Sequence, residues 1–162
     1  MKEAAFEMLF KKYYNEALLY VCALSHDRAV ADDIVAEAFL RAFKSIDEEK
    51  AGFKYWLLKV CRNCYFDYLR KAKRLTPIDD NLQGDEAELV DDVIRNDEYR
   101  ALYKAIYKLK DSYREAVMLF YFGGLSVAET ASVLGITPEN AKVQLFRARI
   151  KLKEILEAEH EF

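Results

Sequence analysis

Residues 125–151, LSVAETASVLGITPENAKVQLFRARIK, constrain the fold more than any other stretch, because they are punctuated as two helices with a tight turn between them. Ser126 is placed to cap the first helix and Glu129, three residues on, to reach back to it, the spacing of a capping box. Gly135 supplies the left-handed residue that closes this helix. Thr137-Pro138 opens the next, since a threonine oxygen accepts from an orphan backbone N–H and proline fits the first helical position without losing a hydrogen bond. The pattern is that of a helix-turn-helix. By helical angle Ala141, Leu145, Ala148 and Leu152 line the inward side of the second helix. Asn140, Val143, Phe146 and Arg147 fall outside that stripe, with Lys142 and Arg149 on its flanks. Groups displayed in this way suit a major groove. The bland reading is a helical hairpin whose arginines are merely solvated; the agreement of caps, turn, small inward alanines and outward basic residues favours DNA.

Any affinity for DNA must be local. The chain carries 25 Lys and Arg against 28 Asp and Glu, a formal charge of −3, which argues against a protein that coats nucleic acid by bulk phosphate neutralisation. With 52% hydrophobic and 33% charged residues over 162 positions, the composition is that of a soluble globular chain with one domain or two small ones. No apolar run is long enough to span a bilayer, and the opening MKEAAFEMLFKKYYNEALL interleaves charges with apolar residues as no secretory signal does. A cytoplasmic protein with no membrane insertion is expected. The three cysteines, Cys22, Cys61 and Cys64, are too few and odd in number for a disulfide framework. The Cys61-x-x-Cys64 spacing lies inside a helical stretch with no second ligand pair nearby, so buried reduced thiols are expected and no metal.

Upstream, apolar residues from Phe6 to Val21 recur at three- and four-residue steps, an amphipathic helix over 2–24 that Ser25-His26-Asp27 breaks. A second helix over 28–46 turns Val30, Ile34, Val35, Ala38, Phe39, Ala42, Phe43 and Ile46 inward. Its outer face holds Asp32, Asp33, Glu37, Arg41 and Lys44, with Glu37 and Arg41 one turn apart as a favourable pair. By themselves these charges are explained by solvation. After the charged loop 47–52, a third helix over 53–72 buries Phe53, Trp56, Leu57, Val60, Cys61, Cys64 and Tyr68. Lys59, Arg62, Asn63, Phe66, Arg70, Lys73 and Arg74 project elsewhere, a basic face with an aromatic set into it that can track a phosphate backbone and stack a base.

Thr76-Pro77 ends that helix, and the composition shifts to PIDDNLQGDEAELVDD, an acidic linker. Taken to residue 96 and extended at ~3.3 Å per residue, it reaches roughly 65 Å, enough to set two DNA-reading modules about two helical turns apart. The second module opens near Asn96 with a helix carrying Tyr99, Leu102, Tyr103, Ile106, Tyr107 and Leu109. Asp111-Ser112 caps the next, Ser112 with Glu115 repeating the capping-box spacing, and Ala116, Val117, Leu119, Phe120 and Tyr121 carry it to Gly123-Gly124. No β pattern of any strength occurs. The expected fold is all-α: two small helical bundles joined by the linker, the second ending in the helix-turn-helix.

Taken together, these residues resemble the sigma factors of bacterial RNA polymerase, in the compact extracytoplasmic-function group that keeps only regions two and four. Ala31-Asp32-Asp33-Ile34, Glu37 and Phe39-Leu40-Arg41-Ala42 are similar to the family's A-E-D-L-x-Q-E-x-F-L-R-A segment. Phe53, Trp56-Leu57, Arg62-Asn63, Asp67 and Leu69-Arg70 match its F-x-x-W-L, R-N and D-x-L-R positions. Leu109, Arg114, Leu119, Leu125-Ser126, Glu129, Ala131, Leu134-Gly135-Ile136 and Arg147-Ala148-Arg149 match region four. Ala36 stands where the family usually has glutamine, and Asn140, Ala141, Val143 and Gln144 depart from its T-V-K-S-R run around Lys142.

The resemblance implies a protein without cofactor or catalytic residues that binds core RNA polymerase and directs it to a subset of promoters. It divides the chain into residues 1–75 (region two), 76–96 (linker) and 97–162 (region four). Asp32, Asp33, Glu37 and Arg41 then face core polymerase. Lys59, Arg62, Asn63, Phe66, Arg70, Lys73 and Arg74, with the loop 47–52, face the melted minus-ten element. Asn140, Lys142, Val143, Phe146, Arg147 and Arg149 face the minus-thirty-five element, and an anti-sigma factor is an expected partner. A polymerase-independent helix-turn-helix regulator is the alternative, but it leaves the first three helices without a sensory or dimerising role. A helical interaction protein leaves the outward basic and aromatic groups unexplained. An enzyme is least favoured, since His26 and His160 are isolated.

Overall fold

The computed structural model describes residues 2–45, 52–75 and 97–160, and among them there is no strand. Two compact units, Met1–Gly84 and Asp85–Phe162, divide the chain. The loop 47–51, the whole acidic linker and its Thr76-Pro77 boundary lie outside the described residues.

The first unit is a three-helix bundle of α1 (Lys2–Ser25), α2 (Arg28–Ser45) and α3 (Phe53–Leu75). The break between α1 and α2 is made locally. His26 takes the left-handed conformation at φ 55 and donates its backbone N–H to the Cys22 carbonyl at 2.8 Å. The Asp27 carboxylate then caps α2 by accepting from the backbone N–H groups of Ala29 (3.0 Å) and Val30 (3.2 Å). Each helix packs on the other two. Ala17, Leu18 and Val21 of α1, Ala31, Val35, Ala38, Phe39 and Ala42 of α2, and Leu57, Leu58 and Cys61 of α3 are buried at their centre. The alanines let α1 and α2 approach closely. Fully burying each large apolar side chain contributes about 1.5–3 kcal/mol. Phe6, Phe10 and Tyr14 of α1 gather round Phe39, and Tyr13 and Phe39 both meet Phe53.

Three details differ from the periodicity, and Trp56 and Val60, expected to be buried, are half-buried at the edge of the core arc. Because α3 packs against two helices, its buried arc is wide enough to take Leu58 and Tyr65, and Tyr65 donates its hydroxyl to the Leu24 carbonyl at 3.1 Å. Tyr68, expected on the inward stripe, is left exposed. Asp32 turns from the outer face toward α1, accepting a hydrogen bond from the Tyr14 hydroxyl and pairing with Arg28 at 3.6 Å.

The second unit comprises α4 (Asp97–Tyr107), α5 (Asp111–Val117) running into a π turn (Met118–Phe122), α6 (Val127–Leu134) and α7 (Pro138–His160). Arg114 is buried and closes the end of α4, donating to the carbonyls of Tyr107 (2.8 Å) and Leu109 (2.7 Å). The capping box expected at Ser112 and Glu115 does not form. Lys110 is the N-cap residue without a side-chain cap, Glu115 is buried, and Asp111 pairs with Arg114 at 3.0 Å. Helix α5 therefore starts two residues earlier than a Ser112 cap allows. Tyr99 and Tyr121 are exposed, whereas Tyr103 and Tyr107 are buried. Tyr121 lies in the π turn, which is closed by the Gly123 N–H to the Met118 carbonyl at 2.7 Å and whose extra residue breaks the 3.6 periodicity.

Candidate nucleic-acid interface

The helix-turn-helix forms as its punctuation dictates. Ser126 Oγ accepts from the Glu129 backbone N–H at 3.0 Å while Glu129 Oε1 accepts from the Ser126 N–H at 2.9 Å, a reciprocal capping box. Gly135 ends α6 at φ 70, and the Ile136 N–H returns to the Ala131 carbonyl at 3.0 Å. Thr137 Oγ1 then accepts from the Asn140 N–H at 3.1 Å to start α7. Ala141, Leu145 and Ala148 are fully buried and lock α7 onto α5 and α6. This docking leaves Asn140, Lys142, Val143, Phe146, Arg147 and Arg149 all exposed, Phe146 at 61%. Ile150 continues the outward apolar line.

The charges along α7 are divided. In its second half Lys151 pairs with Glu154 (3.5 Å) and Lys153 with Glu157 (3.9 Å). In its first half no carboxylate of the described residues pairs with Lys142, Arg147 or Arg149. An apolar centre of Val143 and Phe146 is thus flanked by cations on both sides. Such a face meets both demands of duplex DNA: phosphates for the cations, and base edges with thymine methyl groups for the centre.

On α3 the sequence-assigned groups also share a side. At about 100° per residue, Lys59, Arg62, Asn63, Phe66, Arg70 and Lys73 fall within roughly a third of a turn, opposite the buried arc, and Arg74 lies just beyond it. The Arg62 guanidinium sits over the Phe66 ring, 4.6 Å from its centroid, and Arg70 pairs with Asp67. Sequence reasoning missed Tyr55, which lies on the same arc with Lys59 Nζ 5.6 Å from its ring centre. The tyrosine–lysine spacing of four was the available signal.

On α2 the exposed face presents Asp33, Ala36, Glu37, Leu40 and Arg41, with Arg41 paired to Glu37 at 2.7 Å and Leu40 59% exposed. Asp32 is partly withdrawn from this face by its bond to Tyr14. That bond, with burial as the larger cause, pushes the Tyr14 hydroxyl up to about 12. All three cysteines are buried and unpaired, and burial pushes the Cys22 thiol up to about 12 and raises those of Cys61 and Cys64. Neutral, unreactive thiols are the consequence.

The arrangement defines a class: an all-α protein of two helical units, one bearing an aromatic and basic helix face and the other a helix-turn-helix with an exposed recognition helix. Comparison with known proteins makes the class specific. The model of Sigma-70 region 2 matches residues 9–75 and that of Sigma-70, region 4 matches residues 99–152. The ECF RNA polymerase sigma factor SigM of Bacillus subtilis is 32% identical over 153 residues, covering 91% of this chain and 92% of that one. The RNA polymerase sigma factor SigZ of the same organism is 30% identical over 156 residues, covering 93% and 86%. Among solved structures, the sigma factor RpoE of Bartonella quintana, in complex with the anti-sigma factor NepR, superposes with a TM-score of 0.68 at 25% identity, covering 97% of this chain and 98% of that one. CnrH, in complex with the cytosolic domain of CnrY, gives a TM-score of 0.64 at 25% identity, covering 96% and 90%. The chain belongs to the extracytoplasmic-function sigma factors of the sigma-70 family, and it directs RNA polymerase in promoter-specific transcription initiation. The region 2 match accounts for the three helices that a polymerase-independent regulator leaves without a role. Among the described residues no helix is long and apolar enough to cross a membrane.

Proposed function

We propose that this sigma factor divides its work among three helix faces. Residues 1–75 form the polymerase and minus-ten module, 76–96 the linker, and 97–162 the minus-thirty-five module. Asp33 and Glu37, with Arg41 and the exposed Leu40, dock on core polymerase; Asp32 contributes by bracing α2 against α1. Lys59, Arg62, Asn63, Phe66, Arg70, Lys73 and Arg74 hold the melted minus-ten strand, its backbone on the cations and a base on the Phe66–Arg62 stack. Helix α7 reads the minus-thirty-five duplex. Asn140, near the helix start, pairs with adenine, Lys142 reads guanine from the flank, and Val143 and Phe146 meet thymine methyl groups. Arg147 and Arg149 grip phosphates and set register. The protein acts in the cytoplasm, without enzymatic activity, and an anti-sigma factor holds it inactive, a reading supported by the similarity to RpoE of Bartonella quintana, which is solved in complex with an anti-sigma factor.

The observation that carries this reading is the α7 face: an apolar centre rimmed by three cations with no carboxylate partner among the described residues, on a helix otherwise locked into the core. A panel of promoters with single-base changes in the upstream element tests it, with transcription as the readout. Phe146→Ala is expected to relax choice at a thymine and Asn140→Ala at an adenine, each by at most ~1–3 kcal/mol, the scale of a good base contact. If both variants kept the wild-type preference profile, α7 would not be the reading helix in this manner.

A further inference from the structure

We infer that Tyr121 is a positioning residue of the promoter-binding surface, its ring holding the Arg149 guanidinium on the flank of α7 so that Arg149 grips a phosphodiester of the duplex. The inference rests on the reading that α7 enters the major groove. It begins from a tyrosine in an odd place. Tyr121 belongs to the π turn Met118–Phe122, and it and its neighbour Phe122 point in different directions. Phe122 stacks on Tyr103 with centroids 4.3 Å apart, while Tyr121 stays 48% exposed, meeting Phe120 edge-on at 4.9 Å. The turn thus presents a large ring outward, and the group it meets there is the Arg149 guanidinium, 5.7 Å from its centre.

Arg149 lies seven residues, about two turns, beyond Lys142 and so on the same flank of α7, bordering exposed Phe146. No carboxylate of the described residues pairs with it. A long cation with no anionic partner must lose rotamer freedom when it grips a phosphate, and a ring that already restricts it lowers that loss. The face of the ring does this, not the hydroxyl. The ring also leaves the guanidinium N–H groups available, because a cation over an aromatic face uses none of its in-plane donors. The resulting contact is indifferent to base identity, which separates Tyr121 in role from Phe146 and Asn140.

The test uses holoenzyme reconstituted from core RNA polymerase and the full chain, with promoter-duplex affinity measured across a range of salt concentrations. Arg149→Ala is expected to lower the salt slope by about 1, the loss of one phosphate contact. Tyr121→Ala weakens binding about 2–5-fold, the range of an exposed cation–π contact, uniformly over promoters with single-base changes. Added to Arg149→Ala it brings no further loss. Tyr121→Phe keeps wild-type affinity. Arg149→Lys, which keeps the charge but not the planar stack, removes the sensitivity to Tyr121→Ala, so a fold lesion in the alanine variant is recognised by its persistence on the lysine background. Additive losses, a Tyr121→Phe defect equal to that of Tyr121→Ala, or unchanged affinity in Tyr121→Ala overturns the inference. If Arg149→Ala and Phe146→Ala alike leave promoter binding untouched, it is the α7 reading that has failed.

Discussion

Arg114 does structural work that its charge alone would not suggest. It is buried, and its guanidinium donates to the Tyr107 and Leu109 carbonyls at the end of α4, two acceptors that lack intrahelical partners. Its ion pair with Asp111 matters less, because the aspartate side chain is almost fully solvated and an exposed partner contributes little. Arg114→Met, which preserves the packing of the stem, is expected to destabilise the second unit by about 2–3 kcal/mol, since buried carbonyls lose charge-assisted hydrogen bonds. Asp111→Asn should stay within ~0.5 kcal/mol. Urea unfolding followed by circular dichroism measures both, and equal losses would show that the ion pair, not the carbonyl cap, carries the effect. The resemblance marked Arg114, but its role as a helix cap was not legible, because the carbonyls it reaches lie seven and five residues upstream, across the break between α4 and α5. Asp32 is a parallel case. Its sequence neighbours suggest an outward acid, and Tyr14 from another helix claims it.

At the scale of the element, α2 separates a packed face from an exposed one. Its inward residues are fully buried alanines, valine and phenylalanine, so substitutions on the opposite face leave the core untouched. Joint charge reversal, Asp33→Lys with Glu37→Lys, is expected to abolish binding to core polymerase in a pull-down while the melting temperature stays within the shift of a surface change, ~0.5 kcal/mol. Retained polymerase binding in that variant would remove α2 from the docking surface. The helices themselves were legible because caps and breakers act within four residues: Asp27, Ser126, Gly135 and Thr137 each close or open a helix as their positions imply. The π turn was not. Nothing within the sequence of Met118–Phe122 distinguishes it from a continuing α-helix, and the exposed Tyr121 lies in that one widened turn.

Across the whole molecule, net charge and local charge point in opposite directions. The chain is formally −3, yet α3 and the first half of α7 gather cations, with those of α7 lacking carboxylate partners among the described residues. Isolated protein is therefore expected to bind promoter duplex weakly and with little sequence preference at physiological salt, and core polymerase to raise that affinity strongly; an electrophoretic shift of the duplex with and without polymerase checks this. Tight, specific binding by the chain alone would contradict it. By itself the sequence determined the all-α class, the punctuation of the helix-turn-helix, the inward alanine and leucine stripe of α7 and the outward Val143 and Phe146, because all of these follow from helical geometry and from groups a few residues apart. Only the tertiary structure decided which of several equivalent aromatics went inside. Tyr65 is buried and Tyr68 exposed, and Tyr103 is buried while Tyr99 and Tyr121 are exposed. It also decided the bonds of Asp32 to Tyr14 and of Tyr65 to Leu24, between residues 18 and 41 positions apart. The physical reason is one of range: a tyrosine is content on either side of a helix, and the choice is made by which neighbouring helix offers it apolar surface and a hydrogen-bond acceptor.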